Sequence, residues 1–511
     1  MRTTDGEKGH GMSEAIAASD DRRGSTHSDS TPAGVGVEVP LYVDLDGTLI
    51  ATDTLWEALL SLVRNRPLAL CKLPSWLAGG KAHFKRQIAL TTTLNPVALP
   101  YHEELVVHLR NERARGRRLV LATACDEKLA APIAAHLNFF DGVIASDGTR
   151  NLAGAAKLAA IQAETGTKPF EYAGNSTTDM PIFAAAHSVL VVSNSASLVE
   201  RVRALKKPHA VYAAKSGGLR PILKTVRLHQ WAKNLLLFVP LLAAHQFGIP
   251  MVVDALLGFL CFGLAASGGY VFNDLLDLEA DRLHPQKRNR ALASGKLEPA
   301  RGVQLCAGLL VGSALLAVAT LPLLFTGLLV LYLAATISYS LYFKRKLLAD
   351  VILLAGLYTL RVFAGGAAID LPVSQWLMAF SMFFFLSLAF AKRHSELSLM
   401  LAGQKEKAHG RAYRVDDLDL LLSMGPSCGL MAVLVLCLYF NSDVVQRFYP
   451  TPGLLWFTCP VLFYWLGRVW FLARRGELPG DPVSFALTDK ISLIAGALVL
   501  AIAGLASFLR L

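Results

Sequence analysis

From Trp231 onward the chain is a succession of apolar runs, each long enough to cross a hydrocarbon layer as a helix, for which roughly 20 residues suffice. The runs lie near 231–247, 250–272, 303–321, 323–342, 349–369, 373–391, 418–440, 453–472 and 490–510. A chain in lipid must satisfy its backbone hydrogen bonds within each span, so this half is expected to be an all-α polytopic bundle of about nine transmembrane helices. Lys and Arg crowd alternate connections: Arg282 to Arg301, Lys344 to Lys346, Lys392 to Arg414, and Arg474 with Arg475. The opposite connections, near Gln246, Leu321 and Asp370, are almost free of base, and near Asn441 there is only Arg447. By the positive-inside rule the basic set is cytoplasmic. The net charge of +11 is accounted for by these loops, which argues for a lipid bilayer and against nucleic acid as the partner. The seven cysteines show no metal-ligand spacing and mostly sit in apolar runs, so neither disulfides nor zinc are expected.

The connection after the second run, Asn273 to Lys296 (NDLLDLEADRLHPQKRNRALASGK), carries the densest chemistry. Asn273, Asp277 and Asp281 recur at i, i+4, i+8, one stripe of oxygen ligands on a helix, with Asp274 beside it. Arg282, His284, Lys287, Arg288 and Arg290 follow at once. Acid alone would suggest a metal and base alone a phosphate. Both together suggest Mg²⁺ holding a diphosphate at a membrane surface, where one or two carboxylates and the phosphate oxygens share the ion. The plainer alternative is a polar loop between two spans.

Three other places carry intramembrane or interfacial charge. HQWAKN opens the first span and offers Lys233 and Asn234, with Trp231 as a possible interfacial anchor. YSLYFKRKLLAD brings Lys344 and Asp350, with Arg361 eleven residues further on; a structural Asp–Arg pair between helices is the alternative to a substrate site. FAKRHSEL ends the sixth span with Lys392 and Arg393, either snorkelling cations or the closure of an anionic pocket.

The first 37 residues are rich in Ser, Asp, Gly, Thr and Arg without an apolar core, and are expected to form a disordered tail. Residues 38–204 read as an α/β domain, 205–224 as a linker mixing base, Pro and Gly, and 225–511 as the membrane domain. VPLYVDLDGT (Val39 to Thr48) is a buried-strand pattern ending in two aspartates and a glycine turn, the place where open α/β sheets bind ligands.

DLDGT resembles the first motif of the haloacid dehalogenase (HAD) superfamily, mostly phosphatases working through an aspartyl-phosphate. The resemblance implies a Rossmannoid fold with a small helical cap (about Thr54 to Glu112), Asp44 as nucleophile and Asp46 as general acid/base. It further implies Thr123, from RRLVLATA, as the phosphate-binding hydroxyl, and Lys157, from NLAGAAK, as the lysine holding nucleophile and phosphate. EYAGNSTTD fits the acidic metal motif, so that Asn175 and Asp179 would join Asp44 and Asp46 around Mg²⁺. Asn175 stands where the family has an aspartate, which removes one negative charge.

NDxxDxxxD after the Gly-rich ASGGYVFND resembles the first aspartate-rich motif of the UbiA superfamily of intramembrane prenyltransferases. The longer string ND..D.EADR.HP.KR.R..ASG is similar to the branch that moves phosphoribose onto a polyprenyl phosphate. This resemblance implies Asn273, Asp274, Asp277, Asp281 and Asp350 around Mg²⁺, with Asp277 and Asp281 catalytic. Lys233, Asn234, Arg282, Lys287, Arg288, Arg290, Lys344, Arg361, Lys392 and Arg393 would bind substrate. The partners implied are a polyprenyl phosphate and phosphoribosyl diphosphate, in a bacterial inner membrane with the HAD-like domain and the motif loops cytoplasmic. Many aromatic prenyltransferases carry DxxxD at the second motif; here Asp350 is followed by Leu354, so one acid is lost. Two alternatives stay open: transfer of a prenyl group from a polyprenyl diphosphate to an aromatic acceptor, and a HAD-like domain that is regulatory and not catalytic.

Overall fold

The computed structural model describes residues 39–205, 208–215, 218–245, 247–402, 412–442, 445, 449–478 and 480–509. The tail expected over residues 1–37 lies outside the described residues. The N-terminal domain is built on a six-stranded parallel sheet of β1 (Leu41–Val43), β2 (Leu119–Asp126), β3 (Gly142–Ser146), β4 (Glu171–Gly174), β5 (Ser188–Val192) and β6 (Ala210–Tyr212). The order is β3-β2-β1-β4-β5-β6. β1, β2 and β5 are runs of mostly buried, largely apolar residues, as a sheet covered on both faces requires. The order reverses between β1 and β4, so a crevice opens beyond their carboxyl ends, and Asp44 and Asn175 are the residues that follow those two strands. β6 falls inside the segment expected to be a linker: Leu190, Val191 and Val192 pair with it and extend the sheet past Ala204.

Between β1 and β2 the chain is helical, as expected for a cap. Its first helix, α1 (Thr54–Asn65), begins where the Asp53 carboxylate accepts the backbone N–H groups of Leu55 and Trp56, an N-cap worth about 1 kcal/mol.

The C-terminal domain holds eight helices long and apolar enough to cross a membrane, among the described residues. Its long helices are α2 (Ile249–Leu276), followed by the short α3 (Leu278–Leu283), then α4 (Pro299–Thr320), α5 (Leu323–Leu341) and α6 (Ala349–Ala368). α7 (Gln375–Ala402), α8 (Leu418–Phe440), α9 (Thr458–Arg474) and α10 (Lys490–Phe508) complete them. The first of the nine expected spans, 231–247, is different. It is an eleven-residue 3₁₀ segment, Leu228–Phe238, continued by a short α-helix, Val239–Ala243. At about 2 Å rise per 3₁₀ residue and 1.5 Å per α residue it still reaches roughly 30 Å, the thickness of a hydrocarbon core.

That segment is held against α6 and α2 by two close approaches. Trp231 lies on Gly263, where a Cβ would come within 2.7 Å of its ring, and Trp231 Nε1 donates to Ser267 Oγ at 2.9 Å. On the other side the Leu237 carbonyl rests on Gly365, where an added Cβ would sit 2.1 Å from that oxygen. A backbone atom cannot step aside as a side chain can. Gly365→Ala is therefore expected to destabilise the detergent-solubilised protein by about 1–3 kcal/mol, read as a lowered thermal midpoint. Gly356→Ala on the same helix, where a Cβ meets nothing within 4 Å, should leave the midpoint unchanged or raise it.

Candidate active sites

At the carboxyl ends of β1 and β4, Lys157 gathers the polar groups of the α/β domain. Its Nζ lies 2.7 Å from Asp44 Oδ1, 2.9 Å from the Tyr172 hydroxyl and 3.4 Å from Asp179 Oδ1. Tyr172 donates to Asp179 Oδ1 at 3.0 Å. Thr48 Oγ1 is 3.3 Å from Asp44 Oδ2 and 3.2 Å from Asn175 Oδ1, which brings Asn175 into the same cluster. The Asn175 amide covers Gly47, whose φ of +75° forms the turn after Asp46; a Cβ there would come within 2.0 Å of Nδ2. Thr123 is buried near the end of β2, where its hydroxyl oxygen accepts the Cys125 N–H at 3.0 Å.

Asp46 accepts from the Thr54 backbone N–H at 2.8 Å and the Thr54 hydroxyl at 3.2 Å, at the start of α1. Burial, then the charges of Asp53 and Asp44, push its carboxyl up to about 8, so it carries a proton near neutral pH. Burial also raises the Asp44 carboxyl, against the pull of Lys157. A cavity of about 520 Å³ contains Asp46 and Asn175 together with Lys215, and its far wall is Gly295 to Arg301 of the helical domain.

In the helical domain the stripe expected from Asn273, Asp277 and Asp281 is re-sorted. α2 ends at Leu276, α3 starts at Leu278, and Asp277 is the joint, with φ −96° and ψ 13°. The two acids that converge are Asp274 and Asp281: Arg290 Nη1 lies 2.9 Å from the first and 2.6 Å from the second. Arg227 Nη2 is 2.6 Å from both oxygens of Asp274, and its guanidinium stands over the Tyr270 ring at 5.2 Å. Asp277 faces a different cation, Lys344, whose Nζ is 3.2 and 3.0 Å from its two oxygens. Lys287 Nζ is 4.0 Å from Asp281, Arg288 is exposed, and Asn273 is half-buried. Burial raises the Asp281 carboxyl while Arg290 draws it down.

Among the described residues no group of three or more His, Cys, Asp or Glu is disposed to hold a metal by itself. A Mg²⁺ shared with a diphosphate needs fewer protein ligands, and the hard oxygens of Asp277, whose side chain is 20% exposed, with the cations around it, fit that arrangement.

In the connection between α9 and α10, Asp481 accepts from Lys233 and Lys392, at 2.7 and 2.9 Å. Burial pushes its carboxyl up, but Lys392 and Lys233 outweigh this and hold it well below the usual range. Arg361 donates to Asn234 Oδ1 at 3.1 Å, the Tyr332 hydroxyl at 2.8 Å and the Leu357 carbonyl at 2.7 Å, with the Tyr332 and Tyr358 rings at 4.7 and 5.5 Å. Asp350 does not meet Arg361. Eleven residues are about 16 Å along a helix, too far for the pair. Fully buried, Asp350 instead binds Arg393 Nε of α7 at 2.8 Å and the Tyr413 hydroxyl at 2.6 Å. Arg393 also binds Glu396 and, at 3.3 Å, the Tyr339 hydroxyl.

Arg282, expected at the substrate, joins the two domains. Its guanidinium takes both oxygens of Glu57 on α1, at 2.5 and 3.1 Å, and donates to the Ala293 carbonyl at 3.1 Å. Thr52 Oγ1 holds the same Glu57 at 2.6 Å. The sequence reading missed Glu57, Arg64, Arg227 and Asp481. Asp481 had a signal, an acid in a short loop facing two unmatched lysines of other spans. Glu57 and Arg64 had none, because only the docking of α1 gives them meaning.

Lys157 lies between two buried carboxylates, with its side chain 4% exposed. Lys157→Ala should destabilise the protein by about 3–5 kcal/mol, since a buried ion left without its partner costs far more than the pair contributes. Adding Asp44→Asn should recover part of the loss; thermal denaturation of the single and double variants checks this.

Residues 234–494 match the UbiA prenyltransferase family, and residues 41–184 match the haloacid dehalogenase-like hydrolases. The protein y4nM of Sinorhizobium fredii is 38% identical over 469 residues, 90% of each chain. The nodulation protein NoeC of Azorhizobium caulinodans is 35% identical over 270 residues, 52% of this chain and 87% of its own. A decaprenyl-phosphate phosphoribosyltransferase of Mycolicibacterium smegmatis is 36% identical over 279 residues, 53% of this chain and 87% of its own. With an acid- and cation-lined loop at one end of a bundle of apolar helices, and a lysine-centred carboxylate cluster on a parallel sheet, the chain belongs to the UbiA prenyltransferase family and carries an N-terminal HAD-like domain.

Proposed function

We propose that the helical domain transfers 5-phosphoribose from phosphoribosyl diphosphate to a polyprenyl phosphate on the cytoplasmic face of a bacterial inner membrane. The observation that carries this reading is the surplus of cations at the end of the bundle. Asp274, Asp277 and Asp281 meet Arg227, Arg290, Lys344 and Lys287, with Lys233 and Lys392 on Asp481 beyond them. A donor with two phosphate groups and an acceptor with a third suit such a surface. The likeness to a decaprenyl-phosphate phosphoribosyltransferase supports the same substrates. Asp350, enclosed by Arg393 and Tyr413, offers no second acid pole of the kind a two-metal prenyl diphosphate clamp would use.

In this mechanism the bond from the anomeric carbon to the diphosphate oxygen breaks, and a lipid phosphate oxygen forms the new bond to that carbon. Mg²⁺, when bound, would lend Lewis acidity to the departing diphosphate. Lys344 and Arg290 hold Asp277, Asp274 and Asp281 in place and take up the charge that develops on the leaving group. Phosphate is already an anion, so no side chain has to remove a proton.

The HAD-like domain then removes the 5-phosphate from the lipid-linked product. Asp44 attacks phosphorus, Asp46 protonates the ester oxygen as it leaves, and Asp46 afterwards takes the proton of the water that cleaves the aspartyl-phosphate. The raised Asp46 carboxyl supports the first role, and Lys157 keeps Asp44 oriented.

Both steps are read in one assay, using purified full-length protein, Mg²⁺, a polyprenyl phosphate and phosphoribosyl diphosphate radiolabelled at the 5-phosphate. Label should enter the lipid phase, fall by about 100-fold or more in Asp277→Ala, and accumulate further in Asp44→Asn. Equal label in Asp44→Asn and the parent would dismiss the phosphatase step alone. No lipid label in any variant would turn the reading toward a polyprenyl diphosphate and an aromatic acceptor.

A further inference from the structure

Helix α1 belongs to the HAD-like domain, yet its two ends serve different chemistry. Its first residue, Thr54, holds Asp46, and one turn on Glu57 is locked to Arg282 with both side chains 7% exposed. Two turns further, Arg64 reaches into the helical domain. Arg64 Nη1 donates to the Leu276 carbonyl at 3.0 Å, the last carbonyl of α2, and stands 3.8 Å from Asp277 Oδ1. A cation at this negative helix end is favourable in itself. Asp277 is thus within reach of two cations, Lys344 of its own domain and Arg64 of the other.

Arg64 has donors to spare. A guanidinium carries five N–H groups, and among the described residues Arg64 has no partner besides Leu276 and Asp277. It lines a cavity of about 300 Å³ at the seam between the domains, where the other charged walls are Arg345, the mutually bound Glu57 and Arg282, and Glu279, which accepts from Asn95 at 3.1 Å. Arg64, Arg282 and Arg345 stand against Glu57 and Glu279, so the lining is net basic by one charge.

We propose that Arg64 is a donor-binding residue of the membrane-domain site supplied by the HAD-like domain, holding Asp277 on one side and a phosphate oxygen of the donor on the other. The proposal rests on the reading of the Asp277 region as a diphosphate site. It makes the docked cap helix part of the transferase and gives the fusion of the two domains a direct chemical reason.

The test is equilibrium binding of radiolabelled inorganic pyrophosphate, with Mg²⁺, to full-length protein in detergent. Arg64→Gln should weaken binding about tenfold, the effect of one lost charge-assisted hydrogen bond, and Arg64→Lys should fall between Gln and the parent. Should the Gln variant fail to fold, the Lys variant, which keeps the charge and loses the fork, gives the same readout at about threefold. Unchanged affinity in Arg64→Gln, with or without a lowered thermal midpoint, would reduce Arg64 to a helix cap and overturn the proposal. A parent protein that does not bind pyrophosphate, or binding untouched by Asp277→Ala, would overturn the diphosphate reading and this proposal with it.

Discussion

The arrangement of this protein follows from the cost of placing carboxylates where water is scarce. Apart from Asp46, which Thr54 holds, the enclosed acids of the two candidate sites are matched by cations from other parts of the chain: Asp44 and Asp179 by Lys157, Asp274 and Asp281 by Arg290, Asp350 by Arg393, and Asp481 by Lys233 and Lys392. Such pairs add little net stability against an apolar core. What they do is specify. An acid with one reachable cation fixes which helices sit level with one another, and Asp350 with Arg393 sets α6 beside α7 at one height. The matching is looser and partly open to solvent around Asp277 and Lys344, which is what the proposed diphosphate site would need, since a loosely held cation can turn to a phosphate.

The Glu57–Arg282 pair applies this logic between domains. Glu57 is fixed by Thr52 before it meets Arg282, and Arg282 is fixed by the Ala293 carbonyl, so the docking geometry is determined on both sides. One consequence is that the cavity at Asp46 is walled by Gly295 to Arg301, the segment that leaves the aspartate-rich loop. The segment that carries Asp281 and Arg290 at one candidate site therefore runs on directly into the wall of the other.

Much of this was legible in the sequence because it depends on local pattern. Apolar runs marked the membrane helices, and DLDGT and NDLLDLEAD marked the loops where acids gather. Asp44, Lys157, Asn175 and Asp179 do converge, as the HAD resemblance implied. Pairing between distant elements was not legible. Helical spacing put Asn273, Asp277 and Asp281 on one stripe, but a single-residue joint at Asp277 lets Asp274 turn to Asp281 instead. Asp350 and Arg361 share a helix, and the Asp–Arg pair between helices that was the alternative reading is made with Arg393 of α7. Arg282 belonged to the basic cluster by sequence and to Glu57 by docking, which no local rule encodes.

The 3₁₀ winding of Leu228–Phe238 has a consequence for where Lys233 and Asn234 point. With three residues per turn, Trp231, Asn234 and Leu237 form one straight column and Lys233 the next, so adjacent residues address different helices: Asn234 meets Arg361 of α6, Lys233 meets Asp481. Rewound as an α-helix the segment would be roughly 5 Å shorter, and its columns would drift by about 20° per residue. The aim of these two side chains is therefore a property of backbone pitch, and a change of winding would turn both at once without altering any residue.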